Sequence, residues 1–549
     1  MIRHRRSTLL APWLALLAVG SAAPSFLTAQ VATRIEQLAS AGSVPGMARP
    51  AFRDYQPSVK EFYAAGAYAP AWVQGKTPTP QALAMIQAFQ SAWQKGLVAE
   101  DYDASRWDAR RQQLQQSDTE VATFDVALTV NAMRLISDLR IGRINPKHVE
   151  FELSVEQKKY DLAQFLRTRL VAATDTAAVV ASVEPPFPGY RRAEAALVRY
   201  VDLARQDDGE KLPVPAKPIE PGQPYAGLAR LTRLLTLLGD LPGASAAAPA
   251  PQLYEGALVE GVKRFQGRHG LDADGRLGPS TVKQLNVPLA ERVRQLQLTL
   301  ERWRWLPEEF SAPPIVVNIP DFHLRALNEA NEAALSMRVM AGKAMRSQTP
   351  VFTRDMTYVV FRPYWTVPSG ILRRSTLPAI QRDREYVAKK GFEIITHDGK
   401  VIGSGTVTDE QLAQLRAGKL TVRQKPGPNN ALGLVKLMFP NEYQVYLHST
   451  PSTELFARTR RDFSSGCIRV EKPAELAAWA LRNNAGWSVE RAQKAMDSGP
   501  DNTNVRLAKP VPVYILYGTA VAYPGDEVHF YDDIYGHDAR LAAALAKRG

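Results

Sequence analysis

Apolar positions along the 549-residue chain change their spacing several times. Residues 9–20 form one short apolar run, preceded by Arg3, His4, Arg5 and Arg6 and followed by small residues, with Ala23 and Ala29 as candidate cleavage points. Positive charge, apolar stretch and small residues in that order predict an export signal over 1–29, and the run is shorter than the ~20 residues that span a bilayer. Residues 30–50 are small, polar and marked by Pro and Gly, which predicts a tether. Beyond them the period turns helical: Phe124, Val126, Ala127, Val130, Met133, Leu135 and Ile136 recur near every 3.6 residues. This predicts a mainly helical domain over 51–224, closed by prolines at 213, 215, 218, 221 and 224. Its acids Asp101, Asp103 and Asp138 lack metal-ligand spacing and read as a solvated helix face.

A second helical unit is predicted over 225–290, interrupted by an Ala- and Pro-rich linker at 243–251. Leu258, Val262 and Phe265 line one helix face, Asp274-Gly275 makes a tight turn, and Gly278-Pro279-Ser280-Thr281 opens another helix. Residues 291–312 read as a connecting amphipathic helix carrying Trp303 and Trp305 near its end. From 313 to 549 the period shortens to two, in the runs 315–319, 358–361, 443–447 and 513–517, which predicts a sheet-based domain. Charged helical pieces at 381–390 and 409–416 interrupt that texture, so 373–425 reads as an insertion capping the sheet. The fold class expected is multidomain α+β.

Composition adds a net charge of +13, which draws a protein toward polyanions: nucleic acid, anionic lipid or acidic wall polymers. Zinc-finger spacing, nucleotide-binding glycine loops and long basic runs are missing from the sequence, which argues against nucleic acid. The single cysteine, Cys467, leaves no intramolecular disulfide to form.

That cysteine sits in Ser464-Ser465-Gly466-Cys467-Ile468-Arg469-Val470, nineteen residues after His448, which ends the run 443–447. Gly466 lets the backbone bend sharply and leaves the sulfur uncovered. The Gly466 and Cys467 amides are candidate oxyanion donors, and a histidine in reach would take the thiol proton, leaving thiolate and imidazolium. Pro473 then opens a helix. Spacing alone leaves the bland readings open, a buried small hydrophobe and a structural histidine. His269, His397, His529 and His537 fall in stretches that read as turns or surface.

The residues Phe265-Gln266, Gly270-Leu271, Asp274-Gly275, Gly278 and Thr281 resemble, in order, the peptidoglycan-binding type 1 domain, a small three-helix module. The segment from His448 to Arg469 resembles the signature of the L,D-transpeptidase (YkuD-like) catalytic domain: His, spacer, Ser or Thr, often His, Gly-Cys, an apolar residue, then Asn or Arg. Ser465 departs from it where many members carry a second histidine; Ser-Ser-Gly-Cys is similar to the large periplasmic subgroup. Phe62-Tyr63 with Pro70-Ala71-Trp72, and Ser137-Asp138-Leu139-Arg140 with Gly142-Arg143, resemble that subgroup's N-terminal scaffold. Tyr364-Trp365 with Val367-Pro368 resembles the segment before its capping insertion.

The resemblance implies a peptidoglycan enzyme of the periplasm or cell envelope. Cys467 would attack the L,D bond of a tetrapeptide stem, expel D-alanine, and pass the acyl group from a thioester to a neighbouring diaminopimelate amine, giving a 3→3 crosslink. His448 would act as base and then acid, Ser464, Ser465 and Gly466 would form the oxyanion loop, and Arg469 would meet a stem carboxylate or pin the nucleophile loop. Tyr446 and Trp365 either line the substrate cleft or, the better reading of each, pack in a core. The resemblance implies no metal and no organic cofactor. Partners implied are stem peptides and glycan strands, with other cell-wall synthases beside them and a membrane only if the signal is retained. The alternatives are an L,D-carboxypeptidase using water and an inactive wall-binding scaffold.

Overall fold

The computed structural model describes residues 26–241 and 252–547, so the expected signal lies almost wholly, and the linker at 243–251 wholly, outside them. They divide into two compact units, the first holding 26–87, 103–133 and 161–176, the second the rest. Among the described residues no helix is long and apolar enough to cross a membrane.

The first unit is helical, and it corrects the tether expected at 30–50. A helix runs over Phe26–Ala41, and Val31, Ile35 and Leu38 form a buried stripe on it, followed by buried Val44 and Met47. The Gln56 amide donates to the Ser40 carbonyl at 2.8 Å and fixes the turn after the helix. Tyr63 and Trp72 meet at buried Asp125, which accepts from the Tyr63 hydroxyl at 2.6 Å and the Trp72 amide at 2.7 Å. Burial pushes the Asp125 carboxyl up to about 6 against the pull of those bonds. Asp103 is also buried, accepting from the Ala48 amide at 2.6 Å and Arg110 at 2.9 Å, and in the second unit buried Asp138 takes the Tyr102 hydroxyl at 2.8 Å. The solvated face expected for Asp103 and Asp138 is therefore wrong: fixed donors replace the water that a buried carboxylate loses.

In the second unit, helices Leu228–Leu238, Ala257–Gly267 and Pro279–Leu285 pack around Leu231, Leu235, Val262, Phe265 and Val282. Gln266 ties the Asp274-Gly275 turn to this core, donating to Asp274 at 2.9 Å and accepting from the Gly275 amide at 2.8 Å. The connecting helix is Leu289–Trp303.

A closed barrel follows, of eight strands among the described residues: β1 (Ile315–Asn318), β2 (His323–Leu327), β3 (Ala333–Met340), β4 (Phe352–Phe361), β5 (Val435–Met438), β6 (Leu447–His448), β7 (Ile468–Val470) and β8 (Thr503–Leu516), in the order β5-β6-β7-β3-β2-β1-β8-β4. Alternate residues such as Val317, Leu324, Val339, Val359, Leu437, Leu447 and Ile468 fill its core. The strand expected over 443–447 shrinks to Leu447–His448, because Asn441 captures the backbone before it. Its side chain donates to the Val445 carbonyl at 2.8 Å and accepts from the Val445 amide at 3.1 Å. The insertion is a small body of its own, with Trp365–Thr366, Phe392–Ile395, Val401–Gly403 and Thr421–Gln424 in one sheet and Ile380, Val387, Leu412 and Val422 in its core. Helix Asp409–Arg416 inside it starts at a Thr408–Gln411 capping box.

Candidate active site

The loop before β7 is fastened from three sides. The Ser464 amide donates to Ala341 at 2.9 Å, and the Lys343 amide donates to the Ser464 carbonyl at 3.1 Å. Thr349 Oγ1 donates to the Gly466 carbonyl at 2.8 Å while accepting from the Gly342 amide at 2.9 Å. Tyr535 donates to the Gly342 carbonyl at 2.5 Å from the other end of the domain. Gly466 has φ of 121°, a conformation closed to side-chain-bearing residues without strain. Ser464 Oγ crosses the turn, accepting from the Gly466 amide at 3.1 Å and donating to the Cys467 carbonyl at 2.5 Å. The Gly466 amide is thus committed, which corrects its expected part in an oxyanion hole. The Cys467 amide makes no hydrogen bond among the described residues and is the donor left at the nucleophile.

β6 and β7 run parallel with His448 opposite Arg469 and Leu447 opposite Ile468. Across the antiparallel β5–β6 pair, Lys436 stands opposite His448. Leu447, Ile468 and Leu437 point into the barrel core, so by the two-residue period Lys436, His448 and Arg469 share the outer face in one row. Tyr446 precedes His448 by two positions, its ring 5.6 Å from the imidazole, and Cys467 stands likewise before Arg469. Four of the expected site residues, Tyr446, His448, Cys467 and Arg469, therefore gather on two adjacent strand ends.

A scaffold-domain family profile matches residues 57–197, a "Putative peptidoglycan binding domain" profile matches 227–285, and an L,D-transpeptidase catalytic domain profile matches 313–515. Residues 313–515 are an L,D-transpeptidase catalytic domain. Scaffold, peptidoglycan-binding and transpeptidase domains follow one another in the order expected. A Haemophilus influenzae protein named "Putative L,D-transpeptidase" is 31% identical over 264 residues, covering 48% of this chain and 51% of the relative, so the chain spans about half the length of the curated relative it matches. A crystal structure of an L,D-transpeptidase from Xylanimonas cellulosilytica aligns over 55% of this chain and 100% of that one, at 14% identity and a TM-score of 0.16, too loose to carry an argument.

The electrostatics of the transpeptidase domain differ from the charged pair expected. His448 Nδ1 lies 2.5 Å from the Ser449 carbonyl, which can only accept, so Nδ1 holds the proton and Nε2 the lone pair. Burial and the Arg469 charge push the imidazole down to about 3, with Lys436 adding to them and the Ser449 and Leu432 carbonyls opposing. Burial pushes the Cys467 thiol up, against Tyr446 and Arg469. The thiol donates to the Gln444 carbonyl at 3.6 Å, and no hydrogen bond joins it to His448 among the described residues. In the empty site burial thus disfavours the charged form of each group. Arg469 has no ion-pair partner among the described residues, and its buried Nε lacks a hydrogen bond.

Ser465 is exposed on the loop. Trp365 stands in the insertion sheet, 6.2 Å from Phe392 and against the insertion's own core, and no contact among the described residues brings it to Cys467. Lys436, Gln444, Thr349 and Tyr535 escaped sequence reading. Only Lys436 carried a signal, a lysine alone at the centre of the apolar run Leu434-Val435-Lys436-Leu437-Met438. His269 lies in a turn and His537 directly after one, yet both are buried. His269 stacks at 3.7 Å on Phe265, and the peptidoglycan-binding module contacts the segment after the barrel through Gln284 to Asp532 at 2.7 Å and the Phe530 amide to the Arg268 carbonyl at 2.8 Å.

Proposed function

We propose that this chain is a peptidoglycan L,D-transpeptidase of the cell envelope, in which Cys467 is the nucleophile and His448 its proton acceptor. The Cys467 proton passes to His448 Nε2 as sulfur bonds to the carbonyl carbon of the third stem residue. The Cys467 amide donates to the developing oxyanion. The carbon–nitrogen bond to the terminal D-alanine then breaks, and His448 returns the proton to the leaving amine. A diaminopimelate amine of a second stem attacks the thioester, again giving its proton to His448, and the thiolate leaves to regain a proton. The product is a 3→3 crosslink, and glycan strands are the ligand proposed for the 227–285 module.

One observation carries this reading: the β6–β7 register sets the only cysteine of the chain diagonally from a histidine whose tautomer leaves Nε2 as base. Unligated active sites often lack the tight thiol–imidazole contact that substrate completes. Intact mass spectrometry with a purified disaccharide-tetrapeptide tests it. Wild type is expected to gain a thioester adduct and release D-alanine, and Cys467→Ala to do neither. Absence of both from folded, reduced wild type would leave a wall-binding scaffold.

A further inference from the structure

The row through His448 holds two cations without counter-ions. On β5, Lys436 faces His448 directly; on β7, Arg469 faces it from the other side. The next members of the row are Val360 on β4 and Met340 on β3, both buried and apolar. Lys436 makes no ion pair or hydrogen bond among the described residues, and burial lowers its ammonium below the usual lysine range. Arg469 is likewise without an anion among the described residues, although other arginines readily find carboxylates there, Arg338 with Glu471 beside the same strand among them. No Asp or Glu is among the groups acting on His448, which are Arg469, Lys436 and the carbonyls of Ser449 and Leu432, and none acts on Cys467, which feels Tyr446 and Arg469.

Two half-buried cations flanking a buried neutral histidine are costly unless an anion visits them. Adjacent strands lie about 4.8 Å apart, so Lys436 and Arg469 start about 10 Å from one another, a gap that two long side chains close around one carboxylate. We propose that Lys436 and Arg469 are the two arms of one carboxylate subsite straddling His448, so that the peptide's own carboxylate completes the surroundings in which His448 accepts the Cys467 proton. The inference rests on the transpeptidase reading and adds to it a residue, Lys436, and an order of events. The empty site keeps thiol and imidazole neutral. A bound carboxylate cancels the two charges that oppose an imidazolium, and proton transfer follows only with substrate in place. An unoccupied enzyme thereby keeps its thiol protonated and slow to oxidise.

A donor stem offers two sources for that anion, the α-carboxylate of its terminal D-residue and the free carboxylate at the side-chain end of diaminopimelate. The test uses the full-length protein, wild type and Lys436→Met, with three disaccharide-tetrapeptides: both carboxylates free, the terminal one amidated, or the diaminopimelate one amidated. D-Alanine or D-alaninamide release gives kcat/KM for each. Wild type is expected to lose about 10- to 100-fold on one amidated peptide, which names the source, and Lys436→Met about the same on the free peptide. The two losses are expected not to add, because both remove the same contact. Lys436→Arg is expected to recover most of the rate, and its melting temperature guards against a folding defect. Additive losses, or wild type indifferent to both amidations, would overturn the subsite. Wild type inert on all three peptides would instead remove the transpeptidase reading beneath it.

Discussion

Ser464 Oγ donates to the Cys467 carbonyl at 2.5 Å, so one hydroxyl holds both the turn and the residue that carries the nucleophile. The same oxygen accepts from Gly466, which makes it the pin of the loop rather than a group that meets substrate. Ser464→Ala is expected to lower stability by about 1–2 kcal/mol and kcat by about 10- to 100-fold with KM little changed. Thermal melting and steady-state kinetics check both. An unchanged kcat would show that the loop keeps its shape without the pin.

Gly466→Ala separates strain from collision. The nearest atom to an added Cβ is the Ser347 carbonyl oxygen at 4.0 Å, so space is open, and the whole penalty comes from φ of 121°. A loss of about 1–3 kcal/mol is expected, together with a displaced thiol. Denaturant melts and the rate of iodoacetamide labelling at Cys467 would report the two effects.

Acid should weaken the fold through His448. Its proton affinity is depressed in the folded chain and ordinary in the unfolded one, so between about pH 6.5 and about 3 the unfolded chain binds more protons. Stability therefore falls as pH falls through that window and is unaffected by this group above it. Replacing His448 with Gln is expected to flatten the pH slope of unfolding by about one proton, ~1.4 kcal/mol per pH unit. His269, His323 and His537, also depressed by burial, contribute to the slope that remains. A His448→Gln variant with the wild-type slope would contradict the buried neutral imidazole.

Gly142 is expected to be among the least tolerant glycines of the second unit. A Cβ there would stand 2.8 Å from Glu301 Oε1 and 2.9 Å from Trp305 Nε1, at φ of 82°. Buried Glu301 accepts from the amides of Arg143 at 2.5 Å and Ile144 at 2.9 Å, so it has nowhere to retreat. Gly142→Ala should cost about 2–4 kcal/mol, read by chemical unfolding. A loss under about 1 kcal/mol would mean that the helix Leu289–Trp303 yields more easily than its contacts suggest.

The sequence disclosed what repeats and hid what is held once. The runs around Val317 and Val513 alternate because one side of each strand fills the barrel, and both were read as strands. Cys467 and His448 stand out in the sequence as candidates because a lone cysteine beside a glycine and a strand-end histidine are rare residue types in recognisable surroundings. Lys436 was missed because its meaning comes from the residue opposite it, and strand register is invisible in a single chain. Asn441 was missed for a related reason: a side chain that binds its own backbone replaces a strand by a turn without disturbing the apolar pattern. Residues 30–50 looked like a tether because a three-residue stripe, Val31, Ile35 and Leu38, is too short to stand out from polar neighbours.

β8 has a consequence for when the chain acquires its chemistry. It is the strand that closes the barrel, lying parallel to β1 and antiparallel to β4. Every candidate catalytic residue precedes it, and Val513 must find Ile315 across nearly two hundred residues before the circle is complete. Such distant pairing is slow and comes late in folding. A chain interrupted just before Thr503 would carry the thiol, the imidazole and both cations, yet lack the strand that closes the barrel behind them. Barrel closure is in this way expected to wait on β8, a delay written into strand order rather than into any inhibitor.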